Sequence, residues 1–218
     1  MRETIEVKIP DSWKDVTLRK YLELQKDLEN HKDDEMAQFH FTVYHLCGID
    51  VDMINKMTKE SSDKIKRSLN NLIQNQDLPI QNIIDIDGIA YGFEPNLSKI
   101  AYGAYIDITK YDTIALDNNW AKIMSILYRP IVDKRGDKYS IATYNGDIDD
   151  ELFLDVSMDV HLGCFFFCIR LYKDLMNVIL NFSNLNLPHN TKLILEKSGK
   201  DIQRLLNSQE EMFKKWKV

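Results

Sequence analysis

Basic residues are not in surplus in this chain: 28 Lys and Arg stand against 34 Asp and Glu, for a formal net charge of −6 and an isoelectric point near 5.4. A general nucleic-acid binder needs a basic face for phosphate contacts, so the charge argues against that class. Cysteine is scarce as well. Cys47, Cys164 and Cys168 are an odd number set in apolar helical patterns, which points to assembly in a reducing compartment without a disulfide framework. Long hydrophobic runs are missing: the most apolar stretch, Val160 to Ile169, contains His161 and stops at Arg170, far short of the roughly 20 residues needed to cross a bilayer. The opening carries Arg2 and Glu3 and no apolar h-region, so no secretory signal is expected. No phosphate-loop, dinucleotide or nucleophile-elbow pattern occurs either. With those absent, the expectation is a protein that is not an enzyme and carries no cofactor.

What is present suits a folded chain. The 218 residues are 44% hydrophobic and 28% charged, enough for one sizeable core or two small ones. The reading is an α+β protein, predominantly helical with small antiparallel β-hairpins, divided into residues 1–155 and a C-terminal helical segment, 156–218, packing on it, with one single domain as the alternative. Charge is unevenly spread. Residues 192–218 hold seven Lys or Arg against four Asp or Glu, leaving −9 on residues 1–191. The basic end is read as a solvated helix face, with contact to an acidic partner or to nucleic acid as the alternative.

Periodicity places the elements. Ile5, Val7 and Ile9 alternate with polar residues as a strand ending at Pro10. Thr17 is the expected cap of a helix to about Asn30. A helix from Asp33 to Cys47 begins on acidic residues and ends at Gly48, and its apolar side chains cover most of its circumference, so it should be central. Helices near 51–57 and 61–74 follow, the latter burying Ile65, Leu69, Leu72 and Ile73. Asp87-Gly88 predicts a tight hairpin between runs 83–86 and 89–93. Ser98 is expected to cap a helix through Tyr102, Tyr105 and Ile106. Another helix should span 118–128, stopped by Pro130, before a second hairpin turning at Arg135-Gly136. One helical turn falls within 147–154. The longest helix is expected from about Ser157 to Asn184, and Pro188 precedes a last amphipathic helix reaching Lys215.

Residues 16–24 also echo residues 100–108 in type, each following a run that ends in proline. A divergent strand-proline-helix duplication and a coincidence of two amphipathic helices both account for this. The triplet Phe165-Phe166-Phe167 points in three directions around a helix, so either that helix is buried all round within the monomer, the preferred reading, or one ring is covered by another subunit.

Metal and nucleophile patterns fail on spacing. His40 and His45 lie about 140° apart on a helix, not on one face with a glutamate between. Cys164 and Cys168 share a face but lack the rest of a zinc set. Asp85 and Asp87-Gly88 sit among isoleucines where a calcium loop needs oxygen ligands. The acidic residues Asp147, Asp149, Asp150, Glu151, Asp155 and Asp159 read as a solvated loop and helix start.

The run Tyr91-Gly92-Phe93-Glu94-Pro95-Asn96-Leu97, then Gly103 and Tyr105-Ile106-Asp107, then Leu127-Tyr128-Arg129-Pro130-Ile131 with Asp137-Lys138-Tyr139, resembles a family of uncharacterised structural and assembly proteins of crAss-like and related tailed phages of Bacteroidetes. The opening Ile5 to Pro10 followed by Val16-Thr17-Leu18 is similar to the start of that family, and the likeness spans about two thirds of the chain. Family members often carry Gly-Glu-Tyr where this chain has Gly103-Ala104-Tyr105. The resemblance implies a virion structural subunit, an accessory protein at the portal vertex or head-to-tail junction. It would be assembled in the host cytoplasm and used in several copies around a symmetric ring, against portal, capsid or tail-ring proteins. The alternative is a tail-assembly chaperone that is absent from the mature particle. No membrane or nucleic-acid role is implied. Trp, Tyr and Arg dominate interface energetics, so Trp13, Trp120, Tyr128, Arg129 and Trp216 are the candidate docking anchors.

Overall fold

Helix ends fall where short polar side chains can cap them. In the computed structural model, which describes residues 7–74, 78–111 and 116–183, Thr17 accepts a hydrogen bond from the Lys20 N–H and begins α1 (Leu18–Asn30). Asp34 does the same for the Ala37 N–H at 2.9 Å, opening α2 (Glu35–Cys47), which ends on Gly48 at φ 67°. Short α3 (Val51–Ile54) and amphipathic α4 (Lys59–Gln74) follow, and α4 buries Ile65, Leu69, Leu72 and Ile73 as the spacing requires.

Helix α2 is not central. It buries only Val43 and Leu46, while Met36 and Tyr44 are exposed. Its other rings are half covered from the side: Phe41 lies 4.7 Å from the His31 ring and Phe39 takes the Lys66 ammonium 4.8 Å above its centroid. Side chains of that kind are apolar enough to mimic a buried helix in sequence, yet they serve at a boundary.

The first hairpin forms as its turn chemistry demands. Strands β1 (Ile83–Ile86) and β2 (Ile89–Phe93) flank Asp87 and Gly88, both at positive φ (53° and 80°), the backbone of a type I′ turn. The second hairpin, β3 (Tyr128–Arg135) and β4 (Lys138–Ile141), turns at Gly136-Asp137, one residue later than expected. Gly136 sits at φ 60°, which suits a type II′ turn led by glycine. Val132 is left unpaired between Ile131↔Ile141 and Asp133↔Ser140 and bulges the strand. The two hairpins are not separate units. Antiparallel pairing of Tyr91 with Pro130 and Phe93 with Tyr128 joins them into one four-stranded sheet, ordered β1-β2-β3-β4.

Between β2 and β3 the chain makes a 3₁₀ turn at Leu97–Lys99, then α5 (Tyr102–Thr109) and α6 (Trp120–Leu127). Ser98 lies inside that turn and donates to Asn96 Oδ1, so it does not cap α5. Helix α7 (Asp150–Leu154) is capped by Asp149, and α8 (Met158–Ser183) is the longest helix among the described residues. Residues 7–10, at the end of the expected first strand, are not in a strand, and residues 1–6 lie outside the described set, as does the expected C-terminal helix beyond Pro188.

One hydrophobic cluster runs from Trp13 through α1, α4, the sheet and α6 to Ile169, so no break in the core marks residue 155. Two backbone bonds tie its ends: Leu18 N–H donates to Val156 O at 3.1 Å, and Met158 N–H to Val16 O at 2.7 Å. Arg19 reinforces the join from outside, its Nε 2.9 Å from Asp155 Oδ1 and its Nη2 3.1 Å from Glu151 Oε2. Of the three phenylalanines, Phe165 is fully buried edge-on to Trp120, and Phe166 and Phe167 are half-buried against the same cluster. Burial within the chain is thus complete for Phe165 and partial for Phe166 and Phe167.

Gly163 is where α8 meets the segment before β1 most closely. A methyl group there would stand 2.5 Å from the Pro79 carbonyl oxygen. Alanine should gain about 1 kcal/mol in helix propensity, but the obstacle is backbone and cannot rotate away, and overpacking costs about 1–3 kcal/mol. Gly163→Ala is expected to lower stability by up to about 2 kcal/mol net, read from the urea midpoint. An unchanged or raised midpoint would mean that the Pro79 segment yields freely.

Candidate functional site

Four of the five side chains singled out as docking anchors lie in the interior. Trp120 and Tyr128 are fully buried, Trp13 is 3% exposed and Arg129 9%; Trp216 is outside the described residues. Each of the four has an internal task. Trp13 packs edge-on to Tyr21, and Trp120 against Phe165. Tyr128 stacks edge-on to Phe93 and donates its hydroxyl to Gln81 O at 2.7 Å. Arg129 pairs through Nη2 with Glu94 Oε2, and the two side chains are only 10% and 11% exposed. These four are core residues rather than surface docking anchors. The side chains that dominate interfaces are also those that fill cores with the most area, and residue type alone does not separate the two uses.

Other polar groups are likewise committed to structure. His45 Nε2 lies 2.7 Å from Asp27 Oδ2, joining α2 to α1. His161 is fully buried with Nε2 3.0 Å from Phe153 O, and desolvation lowers its pKa to about 4. Contact with Cys168 and burial push the Cys164 thiol up, away from the thiolate that a metal or nucleophile would require. Among the described residues no group of three or more His, Cys, Asp or Glu side chains is placed to hold a metal ion, and no helix is long and apolar enough to cross a membrane.

The surface offers three distinctive features. The first is α5. Its inner side places the buried Ala104 against the protein, and Tyr144 donates to Asp107 Oδ2 at 2.5 Å, which fixes the helix to the loop after β4. Burial and that bond push the Tyr144 phenol up to about 12, and pairing with Lys110, then the bond from Tyr144, hold Asp107 below the usual carboxylate range. Its outer side carries Tyr102, Tyr105 and Ile106 at i, i+3 and i+4, exposed by 77%, 56% and 38%. That is an apolar stripe with aromatic tips on a helix held in one orientation.

The second feature is a groove of about 520 Å³ along β1, walled by Ile83 to Asp87 on one side and Asp155 to Val160 on the other, with Lys14 and Gln81 at its margins. Its floor is built: Asp159, 5% exposed, accepts from Gln81 Nε2 at 2.7 Å and from Ser157 Oγ at 2.5 Å. The third feature is the projecting end of the sheet, where Ile89 and Val132 are 52% and 66% exposed. Sequence reasoning did not select any of these surfaces. The α5 stripe could have been found from its 3–4 spacing; the other two depend on strand pairing.

Comparison with family models, with curated proteins and with solved structures returns no match.

Proposed function

We propose that this chain is a virion structural subunit acting at the portal vertex or head-to-tail junction of a tailed phage, by protein–protein binding and without catalysis. The resemblance of residues 91–97, 103–107 and 127–139 to the phage family supports this reading. The observation that carries the binding role is the α5 stripe of Tyr102, Tyr105 and Ile106. Tyr is enriched at protein interfaces because its ring buries apolar area while its hydroxyl keeps a hydrogen bond. A fixed helix presenting such a face loses little entropy on docking.

The double substitution Tyr102→Ser/Tyr105→Ser tests it in phage particles. Exposed substitutions of this kind change stability by only about ±0.5 kcal/mol, so the purified variant should melt almost as the parent does. Its copy number per particle, counted by mass spectrometry of purified virions, should fall severalfold. Unchanged incorporation would remove α5 as the docking face. A parent protein present during infection but missing from mature virions would replace the subunit reading with that of an assembly chaperone.

A further inference from the structure

The groove along β1 is acidic at its rim and apolar between the charges. Asp85, Asp87 and Asp155 are exposed along it and Asp159 lies in its floor, against Lys14 at the margin. Arg19 offsets Asp155 from outside, and Asp85 accepts one bond from the Gly88 N–H, so the rim keeps a negative balance. Ile83, Val156 and Val160 supply the apolar lining. The β1 backbone adds hydrogen-bonding capacity of its own. Phe93 N–H donates to Asn82 O at 2.9 Å, and by alternation Ile84 and Ile86 bond to β2 while Ile83 and Asp85 turn toward the groove. An edge left open in this way is a template for an added segment.

The complementary chemistry lies in the same chain. Residues 192–218 carry seven Lys or Arg against four Asp or Glu, and without Lys214, Lys215 and Lys217 the count is four against four. The whole excess therefore sits in Lys214-Lys215-Trp216-Lys217, a segment outside the described residues. Three ammonium groups match three exposed carboxylates, and an indole among them matches an apolar slot between charges. Reach does not forbid the contact. The groove flanks the first turn of α8, whose 26 residues extend about 39 Å. Thirty residues separate Ser183 from Lys214, and even at the helical rise they cover about 45 Å.

We propose that Lys214-Lys215-Trp216-Lys217 docks in the β1 groove of its own chain, the ammonium groups on the Asp85, Asp87 and Asp155 carboxylates and the Trp216 indole against Ile83, Val156 and Val160. Tethering favours the chain's own segment over that of a second copy, because a linked segment meets its site at an effective concentration near millimolar. Net charge acts in the same direction, since two copies at −6 each repel. The acidic partner of the basic segment is thus its own body, and the groove is filled before another protein can use it. The inference is independent of the α5 face and of any phage particle.

Zero-length carbodiimide coupling of the full-length protein at micromolar concentration, mapped by peptide mass spectrometry, tests it. Mixing isotope-labelled with unlabelled protein separates links within a chain from links between copies. Amides from Lys214, Lys215 or Lys217 to Asp85, Asp87 or Asp155 within one chain are expected, and added salt should reduce them because screening acts on exposed charge pairs. In Asp85→Asn/Asp87→Asn the link to Asp155, whose carboxylate is untouched, should fall roughly threefold to tenfold. Acrylamide quenching gives a second readout. Trp13 and Trp120 are buried, so the quenchable emission reports Trp216, and it should rise in Asp85→Lys/Asp87→Lys. Circular dichroism verifies that each variant is folded, and the parent's own link map decides if one is not. Lysines coupled only to carboxylates outside the groove overturn the proposal. So do links found only between copies, or Trp216 quenching that is equal in parent and folded variant. Because the readout uses purified protein, loss of this contact would leave the α5 result in particles unaffected.

Discussion

Replacing Glu94 with alanine is expected to destabilise the protein by about 3–5 kcal/mol, because it would leave the Arg129 guanidinium buried without its counter-charge. The pair joins the end of β2 to the neighbouring β3, and both side chains are about nine-tenths covered. Arg129 also has a buried Nε without a hydrogen-bond partner among the described residues, so the carboxylate of Glu94 carries its compensation. Arg129→Ala should be damaging for the reciprocal reason, and through stability rather than assembly. The double variant Glu94→Leu/Arg129→Met supplies the contrast. Replacing both members of a buried pair with apolar residues of similar volume is often neutral or stabilising, so it should recover most of what either single change loses. Urea denaturation of the four proteins gives the coupling energy. Single variants that lose less than about 1 kcal/mol would show that the pair is solvated in the working protein.

The second large effect is acid sensitivity centred on His161. Its pKa falls to about 4 in the fold, chiefly through desolvation, against about 6.5 in an unfolded chain. Above the unfolded value both states are neutral and the residue adds no pH dependence. Between the two values only the unfolded chain takes the proton, so stability falls as the pH drops, and the loss is complete near the folded value. At about 1.4 kcal/mol per unit the total is about 3 kcal/mol. The side chain is enclosed at the start of α8, with Asp159 as its acidic neighbour and the Phe153 carbonyl on Nε2. The measurement is the slope of the urea midpoint from pH 7 to pH 4.5 in the parent minus that in His161→Gln. Parallel slopes would place the acid response in the carboxylates instead.

Local structure was legible wherever a single residue chemistry decides a backbone state. Asp87-Gly88 reads as a turn because both centres need positive φ, Thr17 and Gly48 mark helix ends by capping, and the 3–4 spacing of α4 gives its buried face. The joining of two hairpins into one sheet was not legible. It rests on pairing between β2 and β3, and no short-range pattern encodes a partner beyond two intervening helices. The candidate docking residues failed for a related reason: Trp, Tyr and Arg announce large contact area but not whether the contact is internal. The echo between residues 16–24 and 100–108 has a structural counterpart. A 3₁₀ turn at Trp13–Asp15 precedes the Thr17 cap of α1, and another at Leu97–Lys99 precedes the Ala101 cap of α5, all at the same offset. The strand half of that echo is missing at residues 7–10, so a shared turn-helix unit fits better than the full strand-proline-helix repeat. Tyr21 is buried in the first unit, whereas Tyr105, its counterpart, faces outward.

The paired bonds between Val16, Leu18, Val156 and Met158 also govern the order of events at birth. The first helix packs on its neighbour α2 early in the chain, but its tie to the start of α8 forms only once Met158 is present, about 140 residues later. A tie between residues this distant in sequence raises the contact order, which slows folding relative to a chain held by local contacts.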